Sequence, residues 1–282
     1  MTTKSWDDLG ELTQTENNIT HNNLLIIDAN NLAYRWSRRV NYDSYGTDFI
    51  RTIRSLANSY EASRTIVCFD FGKSYYRLNM LEEYKGTRTK SEDPEEIKRY
   101  EDFFAVLNSL PDELDDDVVK FRGVEADDTL AWITQNISKE YEHTWIVSSD
   151  RDLIQLVDDN VSIFNMFGRK EVTQQSLFED TELTPTQYMM SRIIEGDKSD
   201  NILGIEGIGP KRAQGLIKEY GDLDTLLEAL PIKGKSKYIT NLNAGKEQLI
   251  RNEKLINLKA YCETAIVSGK DGEENIERLR SL

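Results

Sequence analysis

Short apolar runs alternate with helical patterns over much of the chain. Four runs predict buried strands, at 24–27, 65–69, 118–121 and 144–147. Between them, apolar residues recur at helical spacing, as in the stretch from Phe49 to Tyr60. Continuous apolar strands joined through helices are typical of parallel sheets. The pattern therefore predicts an α/β fold with a mostly parallel central sheet flanked by helices.

The same pattern divides the chain into four parts. Residues 1–23 are polar without a period, which predicts a mobile N-terminal tail. An α/β core is expected over 24–183, a helical region over 184–262 and a C-terminal segment over 263–282, of which the charged end from 270 is expected to be frayed. Helices are predicted in the helical region at 185–195, 211–220, 223–230 and 243–258.

A polar segment, 84–117, interrupts the pattern of the core. It contains one expected helix, because Asp93 is a good N-cap and Pro94 suits the first helical position. The apolar face expected for this helix is formed by Ile97, Tyr100, Phe104 and Leu107.

Acidic residues follow on all four predicted strands. They are Asp28, Asp70, the group of Glu125, Asp127 and Asp128, and the pair Asp150 and Asp152. A single strand-end aspartate is about as often a helix N-cap as a ligand. In open α/β sheets, however, the carboxyl ends of the strands line one crevice, so these carboxylates are expected to meet there. They could not all stay ionised without cations, and hard divalent ions fit their oxygens.

Two further acids, Asp197 and Asp200, lie three residues apart in the helical half. They suggest two metal ions, one held mainly from the side of Glu125 and one by a second group. That second group is Asp150, Asp152, Asp197 and Asp200. Two ions roughly 4 Å apart activate water and stabilise the leaving oxygen in in-line attack on a phosphodiester. An Asp-x-Asp site of the glycosyltransferase kind, or a plain calcium loop, would leave the other clusters without a role.

Other catalytic patterns are missing from the sequence. The two histidines are His21, in the polar tail, and His143, just before a strand. No Gly-x-Ser-x-Gly elbow occurs, and 204–210 lacks the Gly-Lys-Ser/Thr ending of a phosphate-binding loop. Histidine-based catalysis is therefore not expected, and the nucleophile would come from metal-bound water.

A glycine-rich stretch, Gly204-Ile-Glu-Gly-Ile-Gly-Pro-Lys-Arg212, predicts a hairpin between two helices. Gly207 and Gly209 allow the tight turn, and the helix that follows presents free N–H groups and a positive dipole end, to which Lys211 and Arg212 add charge. This pattern is typical of a helix-hairpin-helix that grips a DNA backbone without reading its sequence. A purely structural glycine turn is the alternative.

Basic residues form two further candidate contacts. Lys85 and Arg88 fit a role in holding the scissile phosphate, and Tyr84 could stack on an unpaired base. A second contact with the DNA backbone is assigned to Lys233, Lys235 and Lys237. A solvated charged turn and a flexible surface loop are the respective alternatives.

The composition limits which partners and which cell compartment the protein can have. The net charge of −15 is unfavourable for a protein that binds phosphate. Nine of the acids belong to the clusters named above, however, and the segment 73–90 is locally basic. No apolar run reaches the roughly 18 residues of a membrane span. The two cysteines, Cys68 and Cys262, show no disulfide-framework spacing and fit a reducing cytoplasm.

Six motifs, taken in order, resemble the signature of the flap endonuclease/5′–3′ exonuclease family and are most similar to its compact bacteriophage members. They are Val67-Cys-Phe-Asp70, Tyr84-Lys-Gly-Thr-Arg88, Arg122-Gly-Val-Glu-Ala-Asp-Asp128, Ser148-Ser-Asp-Arg-Asp152, Gly196-Asp-Lys-Ser-Asp-Asn201 and the hairpin stretch that begins at Gly204.

The resemblance implies a nuclease that holds two Mg²⁺ ions, or Mn²⁺ in their place, and cuts branched or 5′-tailed DNA at the junction of single and double strand. It implies both flap endonuclease and 5′–3′ exonuclease activity, and removal of RNA primers during replication. We expect a monomer that acts in the cytoplasm, that of the host cell if the protein is viral.

Roles for individual residues follow from the resemblance as well. The segment 84–117 becomes a helical arch for the 5′ strand, Lys85 and Arg88 contact phosphate at its base, and the nine acids are metal ligands, directly or through water. The helix-hairpin-helix is expected to hold a monovalent cation, K⁺, through the backbone carbonyls of Gly204, Gly207 and Gly209.

Two alternatives stay open on the sequence alone. A PIN-like metal-dependent ribonuclease shares the strand-end acids, but the helix-hairpin-helix and the long segment 84–117 argue against it. A non-catalytic DNA-junction binding protein would have kept the fold and lost activity, but all nine acids and Lys85 are present. The acidic run 112–117 on the far limb of the arch is unfavourable for tight capture of the 5′ strand.

Overall fold

A six-stranded sheet forms the centre of the protein in the computed structural model, which describes residues 21–37, 45–87 and 91–282. The predicted mobile tail therefore lies outside the described residues, apart from its last three positions, where the first strand begins. The strands are β1 Asn23–Asp28, β2 Ala62–Phe69, β3 Asp117–Lys120, β4 His143–Val147, β5 Val161–Asn165 and β6 Lys170–Val172.

The order of the strands across this sheet is β3-β2-β1-β4-β5-β6. The first five are parallel, and β6 pairs with β5 in the antiparallel direction. The prediction of a mostly parallel sheet is confirmed, although β5 and β6 are additional to the four strands that the sequence pattern predicted. The chain builds outward from β1 to β3 and then returns to β4 on the other side of β1. Such a reversal opens a crevice at the carboxyl ends of the two central strands, which is where α/β folds bind ligands.

Helices cover both faces of the sheet because alternate residues of each strand point to opposite sides. Leu24 and Ile26 belong to one apolar cluster, whereas Leu25 and Ile27 belong to the other. The helices of this core are α1 Ala29–Ala33, α2 Tyr45–Ser59, α3 Tyr75–Met80, α4 Pro94–Glu113, α5 Ala126–Asn136 and α6 Gln174–Thr181, with short 3-10 helices at Tyr34–Trp36, Ser138–Glu140 and Asp152–Leu156.

A helical region with its own apolar cluster follows the core. Its elements are α7 Pro185–Glu195, the two-residue strands β7 Gly196–Asp197 and β8 Ile202–Leu203, and the helices α8 Pro210–Tyr220, α9 Leu223–Ala229, α10 Lys237–Ala244 and α11 Lys246–Ile256. Ala213, Leu216 and Ile217 of α8 are buried in this cluster, and Tyr220 is partly buried against it.

The single helix predicted over 243–258 is wrong, because the chain breaks twice there. Gly245 ends α10 and begins α11, and a Cβ at this position would stand 2.3 Å from Ile205 Cδ1. Asn257 ends α11 and caps the next helix, α12 Leu258–Val267, by accepting from the Ala260 backbone N–H at 3.1 Å.

The frayed C-terminal end predicted from 270 onward is also wrong. Residues Glu273–Arg280 form a last helix, α13. Ile276 and Leu279 on its inner face are buried in the same cluster as Cys262 and Ile266 of α12 and the apolar residues of α5. The C-terminal segment is therefore part of the α/β core, and the helical region precedes it in the chain.

Helix α4 begins as predicted, with Asp93 capping it and Pro94 in the first turn, but it buries a different face. Phe103, Leu107 and Leu110 are buried, whereas Ile97, Tyr100 and Phe104 are 42%, 46% and 37% exposed. Three of the four residues of the predicted apolar face are thus exposed on the surface of the arch. Within the described ranges, no helix is long and apolar enough to cross a membrane.

Candidate metal centre

Three of the predicted acids lie at the carboxyl ends of neighbouring central strands. Asp28 ends β1, caps α1 through the Asn31 N–H at 3.1 Å, and accepts from Ser148 Oγ at 2.7 Å. Asp70 follows β2 and accepts from the Ala126 N–H at 2.7 Å. Asp150 comes just after β4 and caps the next turn through the Asp152 N–H at 2.8 Å. The capping role is therefore real for Asp28, and a hydrogen bond from a backbone N–H fixes each of the three carboxylates at the sheet edge.

A second group of acids stands at the start of α5. Glu125 is the N-cap position of this helix, and Asp127 and Asp128 lie in its first turn. The loop from β3 brings them beside Asp70 through the backbone contact with Ala126. Asp127 is an electrostatic neighbour of Asp150, Asp28 and Asp70, so the two groups share one pocket.

Mutual repulsion is visible in the carboxyl pKa values. Burial raises the pKa of Asp28 to about 7, and the neighbouring Asp70 adds to this shift. Burial likewise raises the pKa of Asp127 well above its ordinary value, with Asp150 as the next contribution. Burial and Asp150 raise the pKa of Asp152 to about 6. A set of buried acids that repel one another in this way gains most from a bound cation, so the residues fit a divalent metal.

The acids of the helical region join the pocket from the opposite side. Asp197 follows α7 in the short strand β7, and Asp150 is an electrostatic neighbour of both Asp197 and Asp200. Asp152 and Asp197 are bridged by Arg192, which lies in the last turn of α7. Burial acts to raise the pKa of Asp197, but Ser199 and Arg192 together hold it below its ordinary value.

Lys85 stands among these acids. Its ammonium group lies 2.7 Å from Glu125 Oε1 and 3.7 Å from Asp200 Oδ2. Its charge acts on six of the nine acids, which are Asp70, Glu125, Asp127, Asp128, Asp150 and Asp200. Burial acts to raise the pKa of Glu125, but Lys85 and Arg77 lower it below its ordinary value. Lys85 is therefore the positive charge that most of the acids in this pocket share.

Tyr84 does not occupy the position that was predicted for it. Its ring is buried, and its hydroxyl lies 2.8 Å from Glu125 Oε2 and 2.9 Å from Asp200 Oδ2, so that it donates its one proton to either acid. Burial, with these carboxylates, raises the Tyr84 pKa well above its ordinary value. A stacking role on an unpaired base is wrong for a ring in this position. Arg88, the other basic residue predicted at the base of the arch, lies outside the described residues.

The sequence patterns did not single out Arg77, which the structure places at the heart of the site. Its guanidinium donates to both oxygens of Asp128, at 2.7 and 2.9 Å, and lies 3.5 Å from Glu125. It also donates to the Leu255 carbonyl at 3.1 Å, which ties the helical region to the core. Asp128 therefore uses both of its oxygens on Arg77 in this structure. An arginine within a mostly apolar helical turn, three residues after a serine cap, is the one signal that the sequence offered.

The carboxylates are neighbours, but they do not yet form a closed ligand set. Among the described residues, no group of three or more His, Cys, Asp or Glu side chains is arranged to hold a metal ion. Arginine and lysine side chains pair with five of the acids, which are Glu125, Asp128, Asp152, Asp197 and Asp200. These side-chain cations neutralise part of the negative charge of the pocket.

A large cavity opens from this pocket beneath the arch. Its volume is about 980 Å³. Asp70, Lys85 and Glu125 line the cavity, as do Tyr34 and the exposed arch residues Ile97, Tyr100 and Phe104. The cavity therefore joins the acids to an aromatic wall.

The predicted helix-hairpin-helix is formed by α7, the hairpin and α8. Gly207 has φ +84°, which favours glycine, and Gly204 is pressed against the Glu195 carbonyl so closely that a Cβ would lie 1.8 Å from it. Gly209 is the N-cap of α8, so the free N–H groups of this helix begin there.

Basic side chains surround the hairpin on the protein surface. Arg212 donates to the Gly207 carbonyl and stacks its guanidinium 4.7 Å from the centre of the Tyr238 ring. Lys211 is exposed beside it. The predicted lysines Lys233, Lys235 and Lys237 are exposed as well, and Lys237 pairs with Glu206 at 2.7 Å. Arg212 and Lys237 line one small pocket, which contains none of the nine acids. These two residues, with Lys211, Lys233 and Lys235, are called the basic surface below.

The central sheet, the acids at its carboxyl edge, the arch and the hairpin together define the class of a metal-dependent nuclease. Comparison with known proteins identifies the family. The family described as 5′-3′ exonuclease, N-terminal resolvase-like domain, matches residues 23–182, and the 5′-3′ exonuclease, C-terminal SAM fold, matches residues 183–270. The chain belongs to the 5′–3′ exonuclease family.

Individual relatives agree with this assignment. The chain is 39% identical to the flap endonuclease of Escherichia phage T5, over 95% of this chain and 94% of that protein. It is 31% identical to thermostable DNA polymerase I of Thermus thermophilus, over 92% of this chain but 31% of that protein. A crystal structure of the phage T5 flap endonuclease, as a pseudo-enzyme–product complex with DNA and metal ions, matches with a TM-score of 0.86, 37% identity and coverage of 92% of this chain and 98% of that chain.

Proposed function

We propose that the enzyme hydrolyses phosphodiester bonds of branched or 5′-tailed DNA, near the junction of single and double strand, with two divalent ions. It acts as a flap endonuclease and as a 5′–3′ exonuclease. One observation supports this most: acids from separate strands and from the helical region surround a single pocket, with Lys85 among them. One chain supplies the acids, the arch and the hairpin, which is sufficient for a monomer.

The two ions, Mg²⁺ with Mn²⁺ as a substitute, divide the acids by position. The first is proposed to use Asp28, Asp70, Glu125 and Asp127, and the second Asp150, Asp152, Asp197 and Asp200. When bound, the ions supply an activated water and charge stabilisation for the leaving oxygen. We assign Asp128 a positioning role instead of a ligand role, because both of its oxygens accept from Arg77.

Lys85 is proposed to hold the scissile phosphate. In the metal-free protein its ammonium group pairs with Glu125, and a phosphate entering between the acids would find it within the pocket. A fixed cation at this point stabilises charge that develops on the phosphoryl oxygens. Tyr84 is proposed to fix the positions of the Glu125 and Asp200 carboxylates relative to each other, since its hydroxyl lies between them.

The unpaired 5′ strand is proposed to lie in the cavity beneath the arch. The arch wall here is aromatic, and the acidic run 112–117 lies beyond it. Stacking of bases on Tyr100 and Phe104 would retain the strand where phosphate attraction is weak, because base–aromatic stacking does not depend on charge.

The duplex is proposed to lie on the basic surface of the hairpin. Lys211, Arg212 and the lysines at 233, 235 and 237 are available there for phosphate contacts. A K⁺ ion at the hairpin would use the carbonyls of Gly204, Gly207 and Gly209. The first two already accept from Gln248 and Arg212, so the ion would share these oxygens through their second lone pairs.

A role in replication, including removal of RNA primers, is supported by the polymerase relative, because the chain corresponds to about a third of that enzyme's length. Cys68 and Cys262 are both free thiols, which fits work in a reducing cytoplasm.

A labelled 5′-flap duplex tests the proposed function. With Mg²⁺ we expect a short product released from the 5′ side, cut at the junction, and with EDTA we expect none. Cleavage of single-stranded RNA without cleavage of the flap would instead support the PIN-like ribonuclease. Tight binding of the flap in Ca²⁺ without any product in Mg²⁺ would support the non-catalytic binding protein.

A further inference from the structure

Arg192 is the one residue of α7 that reaches the acid pocket as a buried cation. It is 6% exposed. Its Nη2 donates to Asp152 Oδ1 at 2.9 Å and also to Asp197 Oδ2, and its Nε reaches Asp152 at 3.2 Å. The guanidinium therefore lies between an acid of the α/β core and an acid of the helical region.

Both partners of Arg192 belong to the group proposed for the second divalent ion. Without a cation between them, these two carboxylates, whose side chains are 18% and 12% exposed, would repel each other. A guanidinium that contacts both carboxylates supplies a positive charge at the place where a divalent ion would otherwise do so. The two cations compete for the same oxygens.

Arg77 offers an internal comparison. It is equally buried and also pairs with an acid of the site, but it has further partners in the Leu255 carbonyl and Ser74 Oγ, at 3.1 and 3.4 Å. Within the described part of the chain, the hydrogen bonds of the Arg192 side chain go only to Asp152 and Asp197. Arg77 is anchored independently of the metal pocket, whereas Arg192 is held only by carboxylates that a metal would take.

We propose that Arg192 is a positioning residue that stands in for the second divalent ion: it neutralises Asp152 and Asp197 in the metal-free enzyme and releases them when that ion binds. This rests on the proposed metal centre. The second ion must displace this guanidinium, which costs the ion affinity. The acids assigned to the first ion have no contact with Arg192; their resident cation is Lys85, which lies 2.7 Å from Glu125 Oε1.

Titration with Mn²⁺, followed by electron paramagnetic resonance, measures the number of bound ions and their affinities without any need for turnover. In Arg192→Gln, which retains size and polarity without charge, the second ion should bind roughly tenfold tighter or more, since a competing unit charge in contact with its ligands is gone. The other ion should keep its affinity within about threefold, so the two affinities should change unequally. Arg192→Lys, which keeps the charge, should stay close to the wild type.

Arg151→Gln is the matched control, because Arg151 is an exposed cation between Asp150 and Asp152 in the sequence. It removes the same charge from the neighbourhood and should alter the affinity of either ion by no more than about threefold. A second-ion affinity in folded Arg192→Gln that equals or falls below the wild-type value would overturn the proposal.

A crystal structure of the wild type with Ca²⁺ tests the same idea without a substitution, and it decides the matter if Arg192→Gln does not fold. We expect the guanidinium to have left Asp152 and Asp197 where the second ion is bound. An intact bridge to both acids with two ions bound elsewhere contradicts the inference. Wild-type protein that binds no divalent ion at all would instead refute the proposed metal centre itself.

Discussion

The Arg77 guanidinium donates to both carboxylate oxygens of Asp128, at 2.7 and 2.9 Å, and both side chains are buried. The two residues are fifty-one positions apart, on α3 and α5. Together with the bond from Arg77 to the Leu255 carbonyl, the pair fastens the acid pocket to the helical region.

Arg77→Gln should destabilise the metal-free protein by about 3–5 kcal/mol, because removing one member of a buried ion pair leaves the other charge uncompensated. Urea unfolding in EDTA measures this. Arg54→Gln is the control, since Arg54 pairs with Asp115 on the surface at 3.2 Å and should cost no more than about 1 kcal/mol. Equal losses in the two variants would contradict the structural role of Arg77.

Asp150→Asn should lower the single-turnover rate of flap cleavage by about a thousandfold or more, because several kcal/mol of charge stabilisation by the ions would be lost. Binding of the flap in Ca²⁺ should remain measurable. Asp152→Asn should behave in the same way. Asp112→Asn, an exposed acid on the arch helix, is the control and should cut normally. Full activity in Asp150→Asn would remove this residue from the metal assignment.

Lys85→Ala and Lys211→Ala are expected to separate chemistry from binding. Loss of Lys85 should reduce the single-turnover rate by roughly a hundredfold or more, with little change in the dissociation constant. Loss of Lys211 should leave the rate at saturation unchanged, weaken binding and reduce the slope of log K against log salt by about 0.9. A normal single-turnover rate in Lys85→Ala would show that its transition-state role is wrong.

Stability of the metal-free enzyme should depend on pH through Asp28. Burial and Asp70 raise its folded-state pKa to about 7, so the native state retains a proton that the unfolded chain has lost. Stability from this group is present below about pH 4 and is lost as the pH rises to about 7. Thermal unfolding in EDTA should therefore show that the melting temperature of Asp28→Asn rises relative to that of the wild type as the pH increases from about 4 to about 7. Mg²⁺ should stabilise the wild type more as the pH rises. A difference between the two proteins that does not vary with pH would contradict titration of the buried Asp28 carboxyl as its cause.

Tyr100→Ala and Phe104→Ala test the aromatic wall of the arch. Each should weaken binding of a 5′-flap by about tenfold, the lower part of the range for loss of one base–aromatic contact, and leave the salt slope unchanged. Phe178→Ala on α6 removes an aromatic ring that is 55% exposed outside the cavity, and it should bind normally. A change in the salt slope without a loss of affinity would count against stacking.

The sequence predicts those parts of the site that depend on patterns among residues close together in the chain. An apolar run followed by an acid is a local pattern, and parallel strands place the ends of such runs together. For that reason Asp28, Asp70 and Asp150 could be located at one edge of the sheet without a structure. The helical start at Asp93 and the glycine turn at Gly207 are equally local.

The features that the sequence did not predict depend on contacts between segments that are distant in the chain. Tyr84 looks like an exposed aromatic beside basic residues, yet it is buried because acids forty-one and one hundred and sixteen positions away surround its hydroxyl. The partner of Arg192 on the core, Asp152, is likewise forty positions distant. Helix α13 has two apolar residues on its inner face, Ile276 and Leu279. Most of its other residues are charged, so the sequence offers little indication that the helix is buried on one side.

The proposed mechanism requires divalent ions bound among the carboxylates, and anomalous diffraction from crystals soaked in Mn²⁺ measures this binding most directly. We predict two peaks, one within coordination distance of Asp28, Asp70, Glu125 or Asp127 and the other beside Asp150, Asp152, Asp197 or Asp200. Peaks absent from this pocket at saturating Mn²⁺, or found only elsewhere on the protein, would contradict the assignment of these acids as metal ligands.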